Sequence, residues 1–131
     1  MPGVLIDTDI AIDYLRGDQA VVPLLHGLWQ AGQAYLSVLS VFELTAGMRD
    51  KEKAATMNFI AACTVADVTP DIAAKGGDLY RKYRAKGVTL APIDCLIAAT
   101  AQARSLKVAT RNVRHYPEKG LLADTVAESV R

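Results

Sequence analysis

Val4-Leu5-Ile6-Asp7-Thr8-Asp9-Ile10-Ala11-Ile12-Asp13-Tyr14-Leu15 changes its hydrophobic period at Asp7. Val4–Ile6 is a short aliphatic run, too short for a helix, and reads as a buried strand ending at Asp7. From Thr8 to Leu15 the pattern becomes helical, with Ile10 paired to Tyr14 and Ala11 to Leu15 four positions on. Gly17 stops that helix. A strand that runs into a helix through an aspartate is the opening of a β-α unit.

The same alternation continues outward. Asp18 is expected to cap a helix whose inner face is Val21, Leu25, Leu28 and Trp29, ending at Gly32. Ala34–Val38 reads as a second strand, followed by a helix capped by Ser40 that carries Phe42, Glu43 and Leu44. Lys51–Ala62 is helical, Thr64–Val68 is a third strand, and Thr69-Pro70 marks a helix start. Ile72, Gly76, Leu79, Tyr80 and Tyr83 form the inner face of that helix down to Gly87. Pro92-Ile93-Asp94 opens the helix Cys95–Arg104, apolar nearly all round and therefore buried. Lys107–Ala109 is a fourth strand and Thr125–Ala127 a candidate fifth. Strands separated by helices imply an α/β fold with a mainly parallel sheet and helices on both faces. Ligands of such sheets bind beyond the carboxyl ends of the strands, where Asp7 and Thr110–Asn112 fall.

The 131 residues suit one domain spanning 1–131, and 51% hydrophobic with 22% charged residues is an ordinary globular balance. No apolar run approaches the ~20 residues of a membrane span, and the start of the chain does not read as a signal peptide. A cytoplasmic protein is expected, with Cys63 and Cys95 as buried free thiols. Net charge is only +1, but the distribution is uneven. Ten of the fifteen basic residues lie between Lys75 and Lys119, against Asp78, Asp94 and Glu118 alone. Folding could gather them into a basic rim, although such runs also occur as plain solvated surface.

Three carboxylates stand where burial is expected: Asp7 after the first strand, Glu43 inside Leu39-Ser40-Val41-Phe42-Glu43-Leu44, and Asp94 in the first turn of the most apolar helix. Ionised carboxylates are costly to bury unless paired or bound to a cation. No lysine or arginine lies within a helical turn of any of the three. A hard divalent cation, Mg²⁺ or Mn²⁺, would resolve their repulsion. Taken alone, Asp94 reads equally as a helix cap and Glu43 as a buried hydrogen-bonding group. Asp9 and Asp18 read as caps. His26, within a helix, reads as structural. Gly76-Gly77 lacks a phosphate-loop framework, and Tyr80 and Tyr83 suit core packing.

Four segments, in order, carry a resemblance: Val4-Leu5-Ile6-Asp7-Thr8-Asp9, Ser40-Val41-Phe42-Glu43-Leu44, Asp94-Cys95-Leu96-Ile97-Ala98-Ala99-Thr100-Ala101, and Ala109-Thr110-Arg111-Asn112-Val113-Arg114-His115-Tyr116. Together they resemble the PIN-domain nucleases and, within them, the VapC-type toxins of bacterial toxin–antitoxin pairs. The resemblance covers essentially the whole chain. It implies a three-layer α/β/α fold with a short central sheet of four to five strands, and a Mg²⁺- or Mn²⁺-dependent endoribonuclease acting on structured RNA. Asp7 and Asp94 would be direct metal ligands. Glu43 would bind the metal, directly or through water, or hold the attacking water. Thr110 would offer a supporting hydroxyl. Members often carry a fourth acid in the segment that here reads Thr110 to Tyr116; this chain has Asn112 and His115 instead, which favours one metal with an Asn112 contact. Arg111, Arg114 and His115 would meet backbone phosphates beside the cleft. The family also implies a homodimer, and a cognate antitoxin whose tail occupies the active-site groove. The apolar helices near Val21–Trp29 and Glu52–Ile60 are candidates for the subunit face.

Two other readings stay open on sequence. Asp7-Thr8-Asp9 after an apolar strand is similar to the haloacid-dehalogenase nucleophile motif of phosphotransferases. Against it, Ala11 replaces the usual Thr or Val, the chain is short, and the late acidic pair is missing. A non-catalytic RNA- or peptide-binding module of the same fold would fit the absence of the fourth acid. A phospho-acceptor receiver domain does not map, because its acid pair and late lysine are absent.

Overall fold

The computed structural model describes residues 3–123. Four parallel strands form one sheet in the order β3-β2-β1-β4: β1 Val4–Ile6, β2 Ala34–Ser37, β3 Thr64–Ala66 and β4 Lys107–Ala109. Leu5 lies opposite Tyr35 and Val108, so β1 is central and its carboxyl end is flanked by those of β2 and β4. Six helices connect the strands: α1 Thr8–Leu15, α2 Val21–Gln30, α3 Val38–Gly47, α4 Lys53–Ala62, α5 Pro70–Arg84 and α6 Pro92–Ala103.

The pleat of the sheet divides the core in two. Leu5 and Val108 point to one face, packing with Ile72, Leu79, Tyr83 and Ile97 of α5 and α6. Ile6, Leu36 and Ala109 point to the other, packing with Ile10, Leu25, Leu44 and Phe59 of α1 to α4. Adjacent residues of a three-residue strand thus serve opposite layers. That is the expected three-layer α/β/α arrangement. Among the described residues no helix is long and apolar enough to cross a membrane.

Several boundaries differ from the sequence reading, each for a physical reason. Ser37, not Ser40, caps α3: its extended backbone ends β2 and its Oγ accepts the Leu39 N–H at 3.0 Å. Strand and helix abut with no loop, and Ser40 becomes a fully buried residue inside α3. The early end of β2 also stops β3 at Ala66, which pairs with Ser37. The segment read as one helix from Lys51 starts as a 3-10 turn, Asp50–Glu52, with the Glu52 carboxylate accepting the Arg49 N–H before α4 begins. Ala20, not Asp18, stands at the cap position of α2, and Asp18 accepts the Ala20 N–H with its side chain at 2.9 Å in the turn before the helix. α6 begins at Pro92. The candidate strand Thr125–Ala127 lies outside the described residues; Leu122 makes an isolated parallel bridge to Val108.

The apolar stripes expected to leave a subunit face pack on one another. Tyr14, Trp29 and Phe59 meet with ring centroids 5.0–5.6 Å apart, binding α1, α2 and α4 together. The most exposed large apolar side chain in the core-forming helices is instead Phe42 of α3, at 68%. Cys63 and Cys95 are free and buried.

Candidate active site

The sheet's carboxyl edge opens into a cleft lined by Asp7, Asp9, Glu43, Asp94, Asn112 and His115, among others. Asp7 caps α1: its Oδ1 accepts the Thr8 N–H at 2.8 Å. Its own N–H donates to the Ala109 carbonyl, which locks the cap to the end of β4. Asp7 Oδ2 accepts two hydroxyls, Thr110 Oγ1 at 2.8 Å and Tyr116 Oη at 3.1 Å. Asp7 is 7% exposed. Burial pushes its pKa up, against the pull of these three donors, and nearby Asp94 pushes the same way.

Asp94 stands in the first turn of α6. Tyr116 Oη lies 3.2 Å from its Oδ1 and His115 Nδ1 3.1 Å from its Oδ2. Burial raises its pKa, opposed first by His115 and then by the Tyr116 hydroxyl, while Glu43 and Asp9 add repulsion. Glu43, one turn into α3, is held by Thr8 Oγ1 at 2.6 Å from Oε1; the same hydroxyl lies 2.8 Å from Ser40 Oγ. Buried Ser40 thus sets the anchor of Glu43 instead of capping its helix.

Asp9, expected as a cap, lies inside the first turn of α1, whose cap is Asp7. Asp9 Oδ1 accepts the Ile10 N–H, but its Oδ2 accepts the Arg111 N–H at 2.9 Å and faces the cleft. Its pKa is raised, first by burial and then by Asp7. The cleft therefore has a fourth carboxylate, contributed by α1 and not by the segment after β4. Tyr116, the other residue to which the sequence gave no role, reaches both Asp7 and Asp94. Burial and these two acids push its phenol pKa upward, so its hydroxyl remains a proton donor. Its place at the end of the Thr110–Tyr116 block was the available signal.

Of the residues expected at phosphates, Arg114 and His115 are exposed beside the cleft with Asn112. Arg111 differs. Its guanidinium donates to Asp13 at 2.8 Å and Asp18 at 3.0 Å, tying the loop after β4 to α1 and to the turn before α2. Two nearby acids occupy it because the loop passes directly over α1. The Thr110 hydroxyl sits behind Asp7, and it accepts the Asn112 N–H at 3.0 Å.

The donor set is all hard oxygen, in a cleft where burial and mutual repulsion raise three of the four acids. That chemistry fits a divalent cation of the Mg²⁺ or Mn²⁺ type. Among the described residues no three His, Cys, Asp or Glu side chains are grouped closely enough to hold a metal ion.

A PIN-domain sequence profile matches residues 4–117. The chain belongs to the PIN-domain family. It is 46% identical to Ribonuclease VapC19 of Mycobacterium tuberculosis over 86% of this chain and 91% of that protein. It is 38% identical to Ribonuclease VapC10 of the same organism over 87% of this chain and 86% of that one. The fold also matches a chain of a toxin–antitoxin complex from Klebsiella pneumoniae, with a TM-score of 0.78, 23% identity and coverage of 92% and 96% of the two chains.

Proposed function

We propose that this PIN-domain chain is a metal-dependent endoribonuclease, the toxin of a toxin–antitoxin pair, which hydrolyses phosphodiester bonds in structured RNA. The observation that carries the reading is the convergence of Asp7, Asp9, Glu43 and Asp94 on one cleft at the carboxyl edge of the parallel sheet. The names of the two mycobacterial relatives support the reaction class.

Asp7, Asp94 and Glu43, with Asp9 beside them in the same cleft, are the residues that would hold Mg²⁺ or Mn²⁺. When bound, the cation supplies Lewis-acid polarisation of the phosphate and acidifies a water for attack. The protein's own groups do the rest. Thr110 and Thr8 fix the Asp7 carboxylate, and Thr8 also fixes Glu43 Oε1, leaving that carboxylate oriented to accept a proton from an in-line attacking water. Arg114 and His115 hold the RNA backbone beside the cleft, and the Asn112 amide contacts the scissile phosphate or a water on it. The raised acids give up part of their repulsion when the cation binds, so metal and fold support each other.

We further assign a cognate antitoxin to the active-site groove, on the likeness to a chain of a toxin–antitoxin complex. A homodimer, a cytoplasmic location and a single domain complete the proposal. The test is cleavage of total RNA with Mg²⁺ or Mn²⁺ beside EDTA and an Asp94→Asn variant. Discrete fragments lost in both controls are expected. Intact RNA in every lane, with no cation binding by calorimetry, would instead identify a non-catalytic module.

A further inference from the structure

One group at the site has no role in the mechanism above. Tyr116 is 2% exposed, its ring lies in the core between the sheet and α5–α6, and its hydroxyl reaches Asp7 Oδ2 at 3.1 Å and Asp94 Oδ1 at 3.2 Å. A phenylalanine would fill the same space, so packing does not require the oxygen. We propose that Tyr116 is a positioning residue of the nuclease site, its hydroxyl gathering the Asp7 and Asp94 carboxylates at one point of the cleft for a divalent cation. The inference rests on the ribonuclease reading and deepens it.

The two acids come from unrelated elements, the end of β1 and the first turn of α6, and they carry like charge. Thr8 and Thr110 hold Asp7, and His115 lies against Asp94, but none of these groups touches both acids. The phenol has one proton and two near-equidistant carboxylate acceptors, so the proton is shared and draws both inward. Shared in this way, the proton ties the two acids together while neutralising neither, which leaves both open to a cation. A bridging water could do the same but could also leave. The phenol cannot, because its backbone is fastened. The Tyr116 N–H closes a turn onto Val113 at 3.2 Å. Two residues later Glu118 accepts Tyr83 Oη at 2.5 Å, Lys82 Nζ at 2.8 Å and Gln102 Nε2 at 3.0 Å, stapling the segment to α5 and to α6, the helix that carries Asp94. Hydrogen bonds that orient metal ligands typically change metal affinity ~10–100-fold when removed.

The experiment is a calorimetric Mn²⁺ titration of the wild-type protein and Tyr116→Phe, with RNA-cleavage kinetics on both. In a cooperatively folded variant, Mn²⁺ binding about 10-fold weaker is expected, with a lower kcat and an unchanged KM for RNA. A purely structural role would lower the melting temperature and leave Mn²⁺ affinity alone; that result overturns the proposal, as does tighter binding, which would make the phenol a competitor of the cation. A crystal structure of the wild-type protein with Mn²⁺ gives a second test that does not depend on the variant folding. Tyr116 Oη is expected within hydrogen-bond distance of both carboxylates, and its departure from either overturns the proposal. A wild-type protein that neither binds Mn²⁺ nor cuts RNA overturns the ribonuclease reading and this inference with it; one that does both while Tyr116→Phe is indifferent overturns this inference alone.

Discussion

Asp9 Oδ2 accepts the Arg111 N–H at 2.9 Å, joining two residues 102 positions apart across the mouth of the cleft. The bond carries the loop after β4 up to α1 and leaves the Asp9 carboxylate beside Asp7, with a raised pKa. Asp9 therefore supplies the negative charge that the segment Thr110–Tyr116 lacks. Substituting Asp9→Asn keeps one acceptor oxygen and removes the charge. The fold is expected to persist while Mn²⁺ affinity and cleavage fall about 10-fold, the scale of losing one supporting metal contact. Circular dichroism, calorimetry and a cleavage assay on the same preparation check all three. Unchanged Mn²⁺ affinity would place Asp9 outside the site.

The two arginines of the same loop separate structure from substrate contact. Arg111 holds Asp13 and Asp18 with distinct guanidinium nitrogens, at sites about a quarter exposed. Arg111→Ala is expected to destabilise the protein by about 1–2 kcal/mol. Lysine is a poor substitute, because it cannot span two carboxylates with a planar fork. Arg114 is exposed beside the cleft. Arg114→Ala should leave the melting temperature unchanged, weaken RNA binding, and reduce the slope of log affinity against log salt by about 1. Denaturant melts and binding at several salt concentrations distinguish the two; a stability loss at Arg114 with no change in salt slope would reverse its assignment.

What could be read from sequence follows from the range of the interactions involved. Asp7 was legible because the period changes from strand to helix at that residue. Asp94 was legible because an acid opens a helix that is otherwise apolar. Ser40 is the expected cap only because Ser37 falls inside the expected strand Ala34–Val38; the true cap depends on where β2 stops pairing. Asp9 and Arg111 were misjudged for the same reason. An aspartate in the first turn of a helix satisfies a local rule, and an arginine beside an acidic cleft satisfies another, but their true partners lie about a hundred residues away. Tyr116 is the extreme case. Its place at the end of the Thr110–Tyr116 block points to the segment and not to the hydroxyl, which acquires meaning only when β1, α6 and the loop after β4 meet.

Neighbouring glycines in α5 give a contrast that tests the packing of the layer behind Asp94. A Cβ on Gly76 would lie 2.9 Å from Leu96 Cδ2 and 3.5 Å from the Cys95 carbonyl, so α5 approaches α6 closely at that point. Gly76→Val is expected to cost about 1–3 kcal/mol by overpacking and to disturb cleavage by shifting the helix that carries Asp94. Gly77 meets nothing within 4 Å. It is exposed mid-helix, and Gly77→Ala is expected to stabilise by about 0.5–1 kcal/mol. Opposite signs in urea melts check the pair; a stabilising Gly76→Val would show that the α5–α6 contact is looser than described.

The acids of the cleft set the pH dependence of stability. Asp7, Asp9 and Asp94 all titrate above the ordinary aspartate value of 3.8 when folded, with burial as the leading cause. The folded state therefore binds more protons than the unfolded state between 3.8 and their raised values. Stability of the metal-free protein must rise as pH falls from neutral through those raised values, and this gain is complete near the unfolded value. Glu118 acts in the opposite sense. Lys82 and Tyr83 lower its pKa to about 2, so its stabilising contribution is intact above 4.5 and is lost as pH falls from there toward 2. The melting temperature of metal-free protein is thus expected to climb on acidification and to decline below 3.8, where the aspartate gain is complete and the Glu118 contribution is still being lost. Saturating Mn²⁺ should remove the climb, because the cation neutralises the same repulsion at neutral pH and adds its own binding energy. Scanning calorimetry from pH 7 to 3, with EDTA and with Mn²⁺, measures both curves. Metal-free stability that falls steadily from neutral pH would mean that the three aspartates are already compensated within the fold, and the case for a cation in this cleft would lose its electrostatic basis.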